Sequence, residues 1–495
     1  MCDGRALGLS AIGSRLSAKE SSPLAESQKL TADSQRASAE EHMRFTTLPC
    51  CLALASLLTA APAAYGEPTA VVPTTQFLDS IGVNTTFPNR GQPLERTIEM
   101  IRHCGFRWVR GGIEGLSDDG PTTLQTYLDL HEATGVRFSW GLVSGGTDIE
   151  KLLRTARPLA DAGALLAFEG NNEPNNWGVT YQGERGGGDA TTWLPVAKLQ
   201  RDMYAAVKAD PQLRDYPVWT ISEAGAQRDN VGLQFLTIPP GANTLLPAGT
   251  QFADAANCHN YFYHPASPVP ADNKVWNAAD PSPECRVDGL YGNHGLTWAK
   301  KFPGYDQHQL DALPRVTTET GTTIGGAISE QRHALDLLNL FLAQFKRGWS
   351  HTCVYLLRDR TDEGGNQQFG YYDRDYQPRL AAEYLHNLTT ILADDGNAAG
   401  AQGSTAKLDY RLIDPPETVH DLLLVRSDGV LQLVVWGERL EGVDRVTLEL
   451  AAPAAVTIYD PTQGVAALET HTHVRSVALE LNDHPLILEL DARRD

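Results

Sequence analysis

Between residues 77 and 392, short β-type runs alternate with amphipathic stretches of helical period, and no other feature constrains the fold as strongly. A parallel strand needs a crossover to reach its neighbour, and a helix in that crossover covers the sheet, so repetition predicts parallel strands with helices outside. Strand-type runs fall at 77–84, 106–110, 136–143, 164–172, 217–222, 252–260, 315–318 and 352–357. Eight runs suffice to close a (β/α)8 barrel. Apolar residues at helical spacing occupy 94–104, 124–134, 149–161, 193–209, 328–345 and 379–392, whereas 226–249, the place for a fifth helix, is weakly periodic. A long Pro- and Asn-rich insertion at 261–307 follows the sixth run, where barrel enzymes carry substrate-shaping loops.

The pattern changes after Asp394-Asp395-Gly396. A Gly/Ala/Ser-rich linker reaches Ala406, and frequent strand-type runs without helices follow at 421–425, 430–436, 446–450, 455–459, 476–481 and 486–490. That spacing predicts an antiparallel β-sandwich, to which the extended 68–75 segment adds a strand. With 495 residues, 42% of them hydrophobic, the chain can bury one large α/β core and a smaller one. The expected division is a barrel at 67–395, a linker at 396–406 and a sandwich at 407–495.

The N-terminus carries a targeting pattern away from the first residue. Met43-Arg44 gives a charged start, 48–61 an apolar stretch, and Ala61-Pro62-Ala63-Ala64 the small residues of a cleavage site. The expectation is an untranslated or disordered leader over 1–42, a signal peptide over 43–66, and a secreted or periplasmic product. The apolar stretch is shorter than the roughly 20 residues that span a bilayer, so no membrane insertion is expected after signal removal. A net charge of −20 argues against nucleic-acid and anionic-membrane partners, which need clustered cations. Signal removal leaves Cys104, Cys258, Cys285 and Cys353; export permits disulfides, and Cys258 with Cys285, flanking the long loop, is the expected pair. No C-x-x-C occurs among them, so no structural zinc is expected.

Two carboxylate motifs end strand-type runs: Gly170-Asn171-Asn172-Glu173-Pro174-Asn175 after the fourth and Thr317-Thr318-Glu319-Thr320-Gly321 at the seventh. Residues at the C-terminal ends of barrel strands read as catalytic. Two glutamates facing one cavity are the apparatus for cleaving a glycosidic bond: one gives a proton to the leaving oxygen, the other attacks or stabilises the cationic sugar. Their environments must differ, since the acid has to keep its proton and the nucleophile has to lose its own. Glu114, Glu223, Asp254 and Asp359 also sit at strand ends and are rival nucleophiles by spacing alone. Glu169, four residues before Glu173, is expected to point the other way or to pair inside the barrel.

Taken together, Asn172-Glu173-Pro174 after strand four, His259-Asn260-Tyr261 after strand six and Glu319 after strand seven resemble the glycoside hydrolases of clan A, with similarity to families 39 and 5. The resemblance covers 77–392, and the tail is similar to the sandwich often attached to such barrels. It implies a retaining double displacement on a β-linked oligo- or polysaccharide, with Glu173 as acid/base and Glu319 as nucleophile. Asn172 would bind the sugar 2-hydroxyl, Arg110 and Tyr261 would hold Glu319, and His259 would line the site near the acid. No cofactor or metal is implied. Two departures stand out: many clan members carry Trp after strand eight, where Leu356-Leu357-Arg358-Asp359-Arg360 stands here, and relatives in family 39 often place Trp where Asn171 stands.

Trp177, Trp140 and Trp298 are candidate stacking platforms for a pyranose, Trp177 foremost because it follows the acid/base motif. A catalytically silent sugar-binding barrel is the alternative, disfavoured by the presence of both glutamates. A metallohydrolase using His259, His264 and His294 lacks an H-E-x-x-H or comparable ligand cluster.

Overall fold

The structure, a computed structural model, describes residues 71–222 except 89, 121, 175, 189 and 191; 246–263 except 248; 270–280; 314–360; 362; 368–394; and 408–491. The barrel's parallel strands are β2 (Ile81–Val83), β3 (Trp108–Gly112), β4 (Arg137–Val143), β5 (Leu165–Asn171), β8 (Val218–Trp219), β9 (Ala256–Asn257), β10 (Arg315–Thr320) and β11 (Trp349–Val354). They run in the order β8-β5-β4-β3-β2-β11-β10-β9, and a parallel bridge between Trp219 and Ala255 joins the two ends. Strands β6 (Val179–Tyr181) and β7 (Glu184–Gly186) form a separate hairpin after β5.

The outer helices follow the expected periodicity: α2 (Leu94–Cys104), α3 (Leu124–Thr134), α4 (Ile149–Asp161), α5 (Leu194–Ala209), α7 (Glu330–Lys346) and α8 (Leu380–Ile391). Their ends have local causes. Asp148 and Ser329 accept the backbone N–H of Lys151 and Arg332 as N-caps, and Gly105 and Gly135 stop α2 and α3 in the left-handed conformation. The first expected strand needs correction. Its beginning is a short helix, α1 (Thr74–Asp79), because Phe77 and Leu78 both face the core, Phe77 edge-on to Phe345. Strands β8 and β9 are also shorter than their apolar runs. The weakly periodic 226–249 stretch lies largely outside the described residues.

Inside the barrel one layer is filled by Trp108, Trp219, Leu166, Val316 and Cys353. An added Cβ at Gly82 would sit 2.2 Å from the Trp108 indole, so that glycine makes room for the ring. The lower barrel is therefore packed solid, and polar chemistry is confined to the other end of the strands.

The C-terminal sheet consists of β1 (Val72–Pro73), β12 (Tyr410–Ile413), β13 (Val419–Val425), β14 (Leu431–Gly437), β15 (Asp444–Tyr459), β16 (Ala467–Leu481) and β17 (Pro485–Asp491). It is antiparallel apart from β1, which pairs parallel to β13, so the extended N-terminal segment does contribute a strand. Period-two alternation sorts its two faces. Leu422, Leu424, Val434, Trp436 and Ile487 join the core cluster of the barrel, while Leu423, Leu433, Val435 and Leu488 build the domain's own core. Part of the long insertion is used at this seam: α6 (Lys274–Ala278) stacks Trp276 on His420 at 3.9 Å, and Glu438 accepts the Trp276 backbone N–H. The segment 272–276 thus serves domain packing, although the insertion follows the sixth strand, where barrel enzymes carry substrate-shaping loops.

Candidate active site

Strand β3 places Trp108 in the lower layer and Arg110, two residues on and so on the same face, in the barrel mouth. Arg110 donates to Glu169 through Nε at 3.0 Å and Nη2 at 2.5 Å, to Glu319 Oε2 through Nη1 at 2.9 Å, and to Asn172 Oδ1 at 2.8 Å. Glu169 is buried and also receives Ser139, Thr318 and Asn257. Of the two expected fates it takes pairing inside the barrel. Two carboxylates on one guanidinium leave a net negative charge at Glu319, the charge a cationic sugar would neutralise.

Strand β10 needs an irregularity to deliver Glu319. Opposite β11, Thr317 pairs with Thr352 and Thr320 with Val354, so Thr318 and Glu319 together stand against Cys353. This bulge turns two consecutive side chains into the mouth: Thr318 Oγ1 meets Glu169 at 2.9 Å, and Glu319 accepts Arg110 and the Tyr261 hydroxyl, the latter at 2.5 Å.

Glu173 arrives by a different route. Its own φ is +41°, and its carbonyl accepts the backbone N–H groups of Asn176 and Trp177 in a tight turn. A left-handed non-glycine residue costs on the order of 1 kcal/mol, offset here by those hydrogen bonds. Upstream, β5 can approach the strand beside it because residue 170 is glycine: a Cβ there would lie 2.2 Å from Gln200 Oε1 and 2.7 Å from the Ile221 nitrogen. Glu173 Oε1 is 2.8 Å from His259 Nδ1, and Oε2 accepts from Asn176 at 2.9 Å.

One ligand-type atom from each of Glu173, His259 and Glu319 lies within 4.8 Å of the other two. A cation would need the Nδ1 lone pair that the contact with Glu173 already occupies, so the triad suits a proton better than a metal ion. Burial pushes both glutamates up, Glu173 against the Asn176 hydrogen bond and Arg110, Glu319 against His259, Arg110 and the Tyr261 hydrogen bond, with Glu173 adding to the rise. Two carboxyls this close do not both ionise cheaply. The Arg110 and Tyr261 donors favour the charge on Glu319, which leaves the proton to Glu173. Burial lowers His259 to about 4, hence a neutral imidazole, and raises Tyr261, which stays a donor.

These groups open on a cavity of about 420 Å³, with Asn172, Glu173, Glu319, Trp177 and Tyr355 among its lining. Trp177 is 55% exposed and free to offer a ring face. Trp140 is corrected: it is fully buried, its Nε1 donates to Thr155, and its ring packs edge-on against Tyr127, so it supports the wall without meeting a substrate. Trp298 and Cys285 lie outside the described residues; Cys258 is buried. Of the rival carboxylates, Asp254 pairs with Lys208 and Asp359 with Arg379, Glu114 lines the cavity, and Glu223 lies outside the described residues. Sequence reasoning missed Tyr355. It directly follows the eighth barrel strand, precedes a cis peptide to Leu356, packs on Phe369 and accepts from Arg360. The signal was an aromatic residue inside the 352–357 run, one position before the segment searched for a tryptophan.

No family model matches the chain, and no curated protein matches its sequence. Solved structures do match. The family 51 α-L-arabinofuranosidase of Thermotoga petrophila RKU-1 superposes with a TM-score of 0.52 at 10% identity, covering 86% of this chain and 98% of that one. The family 51 arabinofuranosidase of Xanthomonas axonopodis pv. citri gives 0.50 at 12%, covering 86% and 98%. A family 39 glycoside hydrolase from Bacteroides cellulosilyticus WH2 gives 0.49 at 15%, covering 85% and 82%. The fold is one that glycoside hydrolases use. Its barrel and sandwich-like domain together account for the length of the family 51 matches.

Proposed function

We propose that this chain is an exported, retaining glycoside hydrolase that cleaves a β-linked oligo- or polysaccharide by double displacement. The observation that carries the reading is the approach of the Glu173 and Glu319 carboxyl oxygens to within 4.8 Å on unequal hydrogen-bond partners. Retaining enzymes hold their carboxyls about 5 Å apart, whereas inverting ones need roughly 6.5–9.5 Å to admit a water. In the first half, Glu319 attacks the anomeric carbon as the glycosidic C–O bond breaks, and Glu173 protonates the departing oxygen. Water then attacks the same carbon, gives its proton to Glu173 and releases Glu319. Asn172, held by Arg110 and 3.3 Å from Ser144 Oγ, is the residue for the sugar 2-hydroxyl, and Trp177 offers the stacking face.

Export rests on the Met43-Arg44 start and the apolar 48–61 stretch; N-terminal sequencing of exported protein should begin near residues 65–67, and residues before Met43 in it would contradict this. The reaction is tested by screening aryl β-glycosides and polysaccharides with the parent, Glu173→Ala and Glu319→Ala, with azide rescue. Activity unaffected by either substitution, or a product of inverted anomeric configuration, would remove the mechanism.

A further inference from the structure

Three side chains behind the reacting pair fix which nitrogen of His259 carries the proton. The Thr318 backbone N–H donates to Asn257 Oδ1 at 3.1 Å, so the amide faces Thr318 with Nδ2 donating to its Oγ1 at 2.9 Å. The hydroxyl has a single proton. Glu169 Oε1, a carboxylate oxygen 2.9 Å away in an ion pair with Arg110, is a better acceptor for it than a neutral imidazole nitrogen at 3.2 Å. Asn257 Oδ1, at 3.1 Å, would spend the proton equally well. Either way the remaining Oγ1 lone pair faces His259 Nε2, which must be the donor. A neutral imidazole carries one N–H, so Nδ1 is an acceptor, and its 2.8 Å contact with Glu173 Oε1 requires the proton to come from the carboxyl.

We propose that Asn257, Thr318 and Glu169 are positioning residues that hold His259 as its Nε2–H tautomer, so that Glu173 must donate to the imidazole and retains the proton it delivers. The inference rests on the glycosidase reading above. The charged and titratable groups around the imidazole are Glu173 and Glu169 from β5 and its turn, Glu319 from β10, whose Oε2 is 3.7 Å from Nδ1, and Arg110 from β3. None supplies a competing donor to Nδ1. Once Glu173 has protonated the leaving oxygen, its carboxylate faces the Nδ1 lone pair. That repulsion is relieved when it takes a proton from the water attacking the glycosyl–Glu319 ester, so one device serves both half-reactions.

Nitrogen-15 NMR of the full chain labelled at histidine tests the lock without turnover, the His259 signals being assigned by their loss in His259→Gln. The parent should give the neutral Nε2–H pattern, and Thr318→Val should shift it toward Nδ1–H. In kcat/KM against pH, the alkaline limb, which reports loss of the acid's proton, should move down by about one unit in Thr318→Val, and Thr318→Ser should restore it. A merely structural role would lower activity without moving that limb. A parent spectrum of the Nδ1–H form overturns the proposal whether or not any variant folds. An Nε2–H spectrum from a protein inactive in the glycoside screen would overturn the glycosidase reading instead.

Discussion

The barrel mouth and the His420 stack at the seam between barrel and sandwich each bury a histidine beside aromatic groups, and of these two clusters it is the mouth that opens on the cavity of about 420 Å³. At the seam, His420 is stacked on Trp276, 5.4 Å from the Trp436 ring and bonded to Asn273 Oδ1, while Arg332 reaches Asp483 at 2.5 Å across the domains. Arg332 is thus answered from the opposite domain. In the mouth, His259, Glu173 and Glu319 answer one another incompletely and face a cavity. Burial lowers both histidines, to about 3 for His420 and about 4 for His259. A perturbed histidine therefore does not mark a site here; convergence of unequally partnered carboxyls on a cavity does.

The comparison breaks most sharply under Glu319→Ala. It should lower kcat/KM on a responsive aryl β-glycoside by at least about 10⁴-fold while the unfolding temperature holds or rises, since a buried negative charge next to Glu173 is removed. A parallel loss of stability would place Glu319 with the seam residues. Trp436→Ala should do the reverse: denaturant unfolding weakened by about 3–5 kcal/mol, with the pH optimum of any activity in place. Acid titration sharpens the pairing. Both histidines are held neutral in the fold, so the unfolded chain binds their protons first; stability is full above about 6.5 and is lost as pH falls toward 4 and 3. His420→Phe should keep the stacking and flatten that loss, and an unchanged acid slope would refute the assignment. The smallest effect is expected at Trp177→Ala: KM raised several-fold, on the order of 1 kcal/mol, with kcat and stability unchanged.

Legibility followed the range of the interaction. Helices α2, α3 and α4 have the bounds that periodicity gave, because an amphipathic face and a glycine or aspartate cap are local properties. Glu173 and Glu319 were nameable because strand ends converge in any closed barrel, whereas Arg110, His259 and Tyr261 were named through the resemblance to clan A glycoside hydrolases. What escaped is non-local. The partition of Phe77 into a helix is decided by Phe345, the burial of Trp140 by Tyr127 and Thr155, and the bulge that turns both Thr318 and Glu319 inward by the register against β11. Tyr355 was hidden by a search for one residue type where any aromatic would serve.

The parallel pairing of Val72–Pro73 with Leu424–Val425 ties the segment just ahead of the barrel to the C-terminal sheet. During synthesis that short strand emerges first and waits for nearly the whole chain before its partner exists. A fragment cut between residues 394 and 408 would leave the sheet without its β1 edge and the barrel without the cover supplied by Trp436 and Ile487. A fusion placed directly before β1 thus perturbs the C-terminal sheet before it reaches the strands that lead to Glu173 and Glu319.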